Sequence, residues 1–116
     1  MTAADPAEAA TLRHVVHIRV DPSLDEGLRR SMEADLRQLV DEHPHAVRAT
    51  VHTDLGRRPH APVTATWMVC MDFVSMADFE AYLASPRHRD FLATHQPSMA
   101  FITAIQVPME GFAGAW

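Results

Sequence analysis

The chain has 116 residues, of which 47% are hydrophobic, and its formal net charge of -5 at pH 7 leaves few basic groups for binding nucleic-acid phosphates. The longest apolar run is shorter than the roughly 20 residues of a membrane span, and the N-terminus lacks the pattern of a secretory signal. We therefore expect one cytoplasmic domain with no nucleic-acid or membrane partner.

The first half of the chain predicts a tail, a strand, a helix and a second strand. Residues 1–11 carry no strand pattern. Residues 12–20 alternate between two faces, as a strand with one buried side does. Capping-type residues and a proline at 21–23 begin an amphipathic helix that Pro44 ends. Residues 46–54 alternate again and predict the second strand.

The second half predicts a strand, a broken helix and a last strand. Residues 64–73 are apolar on both faces, which is typical of a central strand. Ser75 caps the next helix, and Ser85-Pro86 interrupts it. Residues 99–107 form the last strand. We expect the inner side of the helix after Ser75 to consist of Met76, Phe79 and Leu83.

The element order β-α-β-β-α-β predicts an α+β domain over residues 12–108, between a flexible tail at 1–11 and an aromatic arm at 109–116. Its four strands make an antiparallel sheet with both helices on one face. The other sheet face is left bare. A second copy of the chain is the simplest cover for that face, so we expect a homodimer.

The eight histidines of the chain fall into distinct classes. We expect His43, His45 and His60, which lie in predicted turns, to be exposed to solvent. His17 and His52 lie on strand faces directed away from the helices. These two side chains would therefore line the dimer interface or its edge.

His14, Tyr82 and His88 are the candidate chemical groups. His14 shares a strand face with apolar residues, so its ring needs a hydrogen-bond partner or a cavity. Tyr82 and His88 flank the helix break at Ser85-Pro86. A tyrosine and a histidine within reach of each other can share a proton, which suits general acid–base catalysis near neutral pH.

No pattern predicts a metal or an organic cofactor. The paired histidines at 43 and 45, and at 88 and 95, lack a suitably spaced acidic or cysteine ligand. The chain has no glycine-rich phosphate-binding pattern and no nucleophile-elbow pattern. Cys70, the single cysteine, lies in an apolar run and is expected to be a small core residue.

Three segments resemble the stress-responsive dimeric α/β-barrel family, known as Dabb. They are the opening strand LRHVVHIRV, the stretch TWMVCMDFVSMADFEAYL and the segment ASPRHRDFL, of which the last is the most specific. The resemblance covers about residues 12–107. It implies ferredoxin-like monomers that pair through their sheets into a barrel.

The resemblance also implies a role for each candidate group. In the plant polyketide (olivetolic acid) cyclase type of this family, a histidine in the Pro-x-His motif is the general base of an aldol condensation that needs no metal or cofactor. A tyrosine six residues earlier orients that base. These positions match His88 and Tyr82, and a first-strand pocket histidine matches His14. Trp67 replaces a third-strand histidine of that cyclase, which implies a different substrate.

Three functions follow from these observations. The first is a cofactor-independent cyclase or proton-transfer enzyme acting on a small polyketide-like or polar-aromatic molecule. Its expected apolar walls are Trp67, Met71, Phe79, Leu92 and Phe101. The second is a stress-responsive or ligand-binding dimer without catalysis. The third is a cofactor-free monooxygenase of the antibiotic-biosynthesis type, which shares the fold.

Overall fold

The structure is a computed structural model that describes residues 9–55, 57 and 65–109. Most of the predicted tail and of the predicted aromatic arm, together with His60, lies outside these residues. Within them, no helix is both long enough and apolar enough to cross a membrane.

The described chain has the predicted order of elements, with the second helix divided in two. The strands are β1 (Leu12–Val20), β2 (Arg48–Thr53), β3 (Trp67–Phe73) and β4 (Met99–Pro108). The helices are α1 (Glu26–Asp41), α2 (Met76–Ala84) and α3 (Pro86–His95). A single turn of 3-10 helix, Gln96–Ser98, joins α3 to β4. The α+β, ferredoxin-like fold class is thus confirmed.

The four strands form one antiparallel sheet in the order β2-β3-β1-β4. His14 of β1 lies opposite Met71 of β3 and opposite Gln106 of β4. Directly paired residues project to the same sheet face, so these three share the helix side. His17 lies opposite Met68, which also lies opposite His52. Both histidines are exposed on the open face, as predicted.

Helix α1 begins later than the predicted capping segment at 21–23. Asp25 is the N-cap, and its carboxylate accepts hydrogen bonds from the N–H groups of Gly27 and Leu28. Asp21 instead accepts bonds from the backbone and the hydroxyl of Ser23, which closes a separate turn before the helix. The expected start was wrong because two aspartates compete to cap, and the second one does so.

The predicted inner side of the second helix was also wrong in part. Phe79 and Tyr82 are buried in α2, whereas Met76 is 54% exposed and Leu83 is 39% exposed. An α-helix turns about 100° per residue. A buried side centred between Phe79 and Tyr82 therefore leaves Met76 and Leu83 some 70–90° from its axis.

Ser85 ends one helix and begins the next. Its backbone N–H bonds to the Tyr82 carbonyl at the end of α2, and its hydroxyl accepts from the N–H of His88 at 3.3 Å. Pro86 occupies the first position of α3, where the missing N–H has no consequence. This double cap places His88 in the first turn of α3, directly beyond Tyr82.

Candidate functional site

A cavity of about 260 Å³ lies between the sheet and the helices. All three helices contribute to its walls, together with β1, β3 and β4. Most of its lining is aliphatic or aromatic. Its polar side chains are His14, Tyr82 and His88, whereas Thr103 pairs with His17 and directs its side chain to the open face. A mainly apolar cavity with a few convergent polar groups is the usual form of a small-molecule site.

The structure brings most of the predicted site residues to this cavity or next to it. His14, Tyr82, His88 and Leu92 line it. The ring of Phe79 packs behind His14, with 4.8 Å between ring centroids. The two candidate histidines thus meet on one side of the sheet.

Three predicted wall residues lie elsewhere. Met71 and Trp67 are buried in β3 on the helix side but are not part of the lining, and the indole Nε1–H of Trp67 donates to Glu33 at 2.9 Å. Phe101 pairs with Arg19 of β1, which places it on the open face. The expectation for Phe101 was wrong because the register of β4 directs Ile102, which pairs with Ile18, toward the helices, and Phe101 therefore faces the other way.

Tyr82 is the centre of the polar cluster. Its ring centroid is 4.7 Å from that of His88 and 6.2 Å from that of His14. Only 4% of the residue is exposed, and burial raises the pKa of the phenol. At neutral pH Tyr82 is therefore a protonated hydrogen-bond donor.

His14 has a defined tautomer. The side-chain amide nitrogen of Gln106 lies 2.9 Å from Nδ1 of His14. An amide nitrogen only donates, so with the Gln106 amide oriented in this way Nδ1 accepts and the ring proton lies on Nε2. Burial, assisted by nearby His88, lowers the pKa of His14 to about 4. His14 is thus a neutral ring that offers an N–H.

His88 has the opposite tautomer. Its Nδ1 lies 3.2 Å from the carbonyl oxygen of Leu83, which only accepts, so Nδ1 carries the proton and Nε2 keeps a lone pair. Burial lowers the pKa of His88, and the bond to Leu83 opposes that shift. The ring is a neutral base at pH 7. Among the described residues, it is the carbonyl of Leu83 that bonds and orients His88, rather than Tyr82.

His43 is a member of the cluster that sequence reasoning missed. It was expected in solvent but is only 7% exposed, and its ring centroid lies 4.3 Å from that of Tyr82. Burial and the neighbouring His45, His88 and Arg87 lower its pKa to about 4. A signal existed in the sequence, since His43 continues the three- and four-residue spacing of Leu39 and Val40.

The hydrogen bonding of His43 is incomplete. Nδ1 accepts from the backbone N–H of His45 at 3.1 Å, which leaves the proton on Nε2. Within the described residues, Nε2 of His43 is the single buried side-chain nitrogen or oxygen without a partner. Such a group costs about 1–3 kcal/mol of stability when it is left unpaired.

Metal binding finds no support in the part of the chain that the structure describes. No group of three or more His, Cys, Asp or Glu side chains there is arranged to hold a metal ion. The cavity presents two neutral imidazoles and a phenol.

Comparison with known proteins places the chain in a family. The sequence profile of the stress-responsive A/B barrel domain matches residues 12–108. No curated protein matches the chain.

The solved structures agree with this fold. A dimeric ferredoxin-like protein of unknown function from Thermobifida fusca is 23% identical, with a TM-score of 0.73 over 86% of this chain and 92% of that one. A hydroxynitrile lyase from Passiflora edulis is also 23% identical, with a TM-score of 0.73 over 88% and 95%. A Dabb family protein from Mesorhizobium loti is 13% identical, with a TM-score of 0.70 over 84% and 95%. The chain belongs to the stress-responsive A/B barrel domain family.

Proposed function

We propose that this protein is a cofactor-independent enzyme that uses His88 as a general base to make or break a carbon–carbon bond beside a carbonyl group. The observation that carries the proposal is that two histidines of opposite tautomer, His88 and His14, line the same cavity. His88 offers a lone pair at Nε2, and His14 offers a proton at Nε2. A base and a neutral donor held together suit the formation of an enolate.

In the aldol direction, His88, His14 and Tyr82 account for every proton that is moved. Nε2 of His88 takes a proton from the carbon beside a carbonyl, while His14 donates a hydrogen bond to the enolate oxygen. The enolate carbon then forms a bond to a second carbonyl carbon of the same molecule. The alkoxide produced takes the proton of Tyr82, and protonated His88 returns a proton to the Tyr82 oxygen. The ring closes with no redox change.

The cavity walls support a polyketide-like or aromatic substrate. Apart from the side chains of His14, Tyr82 and His88, the lining is mainly hydrocarbon, including Leu92 and Phe91. None of the lining residues is a lysine, an arginine or a carboxylate. A linear molecule with several ketone groups and little charge fits such a site. That one protein of this fold is a hydroxynitrile lyase is consistent with lyase chemistry on this scaffold.

We also propose that the enzyme is a homodimer joined through the open sheet face. That face carries exposed or half-buried side chains such as Val15, His17, Phe101 and Ile105, of which Ile105 is 57% exposed. Solved proteins of the same fold are described as dimeric. Pairing would cover this face and leave the cavity on the helix side accessible.

Exchange of hydrogen for deuterium tests the base without knowledge of the natural substrate. Acetophenone has exchangeable protons beside its carbonyl and no charge, and its exchange in D₂O is followed by NMR. We expect the wild-type protein to accelerate the exchange and His88→Ala to reduce the acceleration about a hundredfold or more. His52→Ala, which removes an exposed histidine from the other sheet face, is the matched control.

The outcomes of this experiment distinguish the aldol-type enzyme from a binding protein and from a monooxygenase. Equal exchange by the wild type and His88→Ala, with both folded, would remove His88 as the base. Acetophenone binding that is retained with no exchange under any condition would favour a binding protein. Consumption of dioxygen with an anthrone would favour the monooxygenase, because an aldol reaction consumes none.

A further inference from the structure

Tyr82 contacts two histidine rings, one from α3 and one from the turn that follows α1. His88, in the first turn of α3, lines the cavity. His43, just after α1, does not line it but packs at 78° against the ring of Tyr82, with 4.3 Å between centroids. His43 therefore lies behind Tyr82 as seen from the cavity.

The contacts of His43 account for its ring and its Nδ1, but not for its Nε2–H. The ring is held by the bond from the His45 backbone N–H to Nδ1, which directs the proton to Nε2. The Nε2–H of His43 is buried and has no partner among the described residues. An apolar ring of similar shape would fill the same space and remove the unpaired Nε2–H, at the cost of the acceptor for the His45 backbone N–H. An unpaired buried group of this kind calls for a functional explanation.

We propose that His43 is a positioning residue for Tyr82, and that its Nε2–H stabilises the negative charge on the Tyr82 oxygen when that oxygen gives its proton to a substrate. This inference rests on the proposed role of Tyr82 as the acid. The Nε2–H has no partner while Tyr82 is protonated and would donate a hydrogen bond only when the Tyr82 oxygen becomes negative. Such a donor stabilises the transition state more than the ground state and so favours the reaction.

The surroundings of Tyr82 strengthen this effect. The titratable side chains packed around its ring are His14 from β1, His43 after α1 and His88 from α3. Burial keeps all three neutral at pH 7. None of these three rings carries a full charge, and an oriented N–H dipole acts strongly in a site of low polarity. The guanidinium of Arg87 is a charged group that also acts on His43.

The composition of the chain offers a direct test, because Tyr82 is its single tyrosine. Biosynthetic replacement of tyrosine by a fluorinated tyrosine labels this one position with a more acidic phenol. The absorbance of the phenolate then reports its pKa in the dimeric or monomeric protein as isolated. No substrate is present, so the result does not depend on whether His88 is the base.

Two variants distinguish the effect of the His43 N–H group from the effect of its ring. His43→Phe keeps an aromatic ring and removes the donor, and we expect it to raise the pKa of the fluorotyrosine by about one unit, a tenfold loss of ionisation. His43→Gln keeps a side-chain N–H and should restore a pKa near that of the wild type. His45→Ala is the control, since the backbone N–H that holds His43 remains.

A stability measurement completes the test. We expect the melting temperature of His43→Phe to stay close to that of the wild type, because the removal of the unpaired Nε2–H offsets the loss of the acceptor for the His45 N–H. His43→Leu provides the same comparison if the larger ring does not fit. An unchanged or lowered pKa in both the Phe and Leu variants, or a Gln variant that behaves as they do, would overturn the proposal.

Discussion

Gln106 on the edge strand β4 sets the proton of His14 across the sheet. The two residues are paired in the register of β1 and β4, and the amide nitrogen of Gln106 lies 2.9 Å from Nδ1 of His14. Because this contact makes Nδ1 an acceptor, Nε2 carries the hydrogen. A residue outside the cavity lining thus decides which hydrogen-bonding group the cavity presents.

Replacing that amide by a carboxylate should reverse the tautomer. A carboxylate only accepts, so Gln106→Glu requires a proton on Nδ1 and favours the imidazolium form. We expect the pKa of His14 to rise from about 4 by more than one unit. Titration of the ring nitrogens by NMR measures both the tautomer and the pKa. Gln106→Met, which loses the bond without adding charge, should not raise the pKa; an unchanged pKa in Gln106→Glu would contradict this account.

The buried histidines should make the fold sensitive to acid. The pKa values of His14 and His43 are lowered from 6.5 to about 4 in the folded protein. Between these values the unfolded chain binds more protons, so the free energy of unfolding is fully retained above pH 6.5 and falls toward pH 4. Each histidine contributes a slope of at most about 1.4 kcal/mol per pH unit.

Urea unfolding at a series of pH values measures that slope. The double variant His14→Phe, His43→Phe removes both groups and should flatten the dependence in this range. A wild-type stability that does not change between pH 6.5 and pH 4 would show that these rings take up protons without unfolding.

Asp72 should matter more to stability than its arginine partners. It is 2% exposed, and its carboxylate lies 2.8 Å from Arg13 and 3.8 Å from Arg48 on the open face. Asp72→Asn keeps the shape but removes the charge that both arginines face, and we expect a loss of about 1–3 kcal/mol in the free energy of unfolding. Arg48→Met, at an exposed and more distant partner, should cost under about 1 kcal/mol. Urea unfolding of the two variants should therefore rank them in that order, and a reversed order would contradict the assignment.

A charge in the middle of the open face should prevent pairing. Ile105 lies opposite Val15 in the sheet and is 57% exposed. Burial of a lysine there without a partner is unfavourable, so Ile105→Lys should sediment as a monomer at concentrations where the wild type is a dimer. Leu28→Lys alters an equally exposed residue on α1 and should leave the dimer intact. A dimeric Ile105→Lys would place the interface elsewhere.

Local patterns predicted some details and missed others for physical reasons. The alternation of residues 12–20 fixes both faces of β1 because one face is covered, and His14 was located from it. Strand β4 is exposed along most of its length on both sides, so its sequence carries little alternation and Phe101 was assigned to the wrong face. His43 does lie beyond the end of α1, as predicted, but it was expected in solvent, whereas its spacing from Leu39 and Val40 continues that of the buried residues.

By itself, the sequence determined the order of the elements, the family and the grouping of His14, Tyr82 and His88, because periodicity and the Pro-x-His motif are properties of the chain. Only the tertiary structure decided which side of α2 is buried, that His43 packs on Tyr82, and that Gln106 and the Leu83 carbonyl give His14 and His88 opposite tautomers. These features depend on contacts between elements far apart in the chain or on the path of the backbone at a helix break. The position of a single proton follows from such contacts, and residue spacing does not encode it.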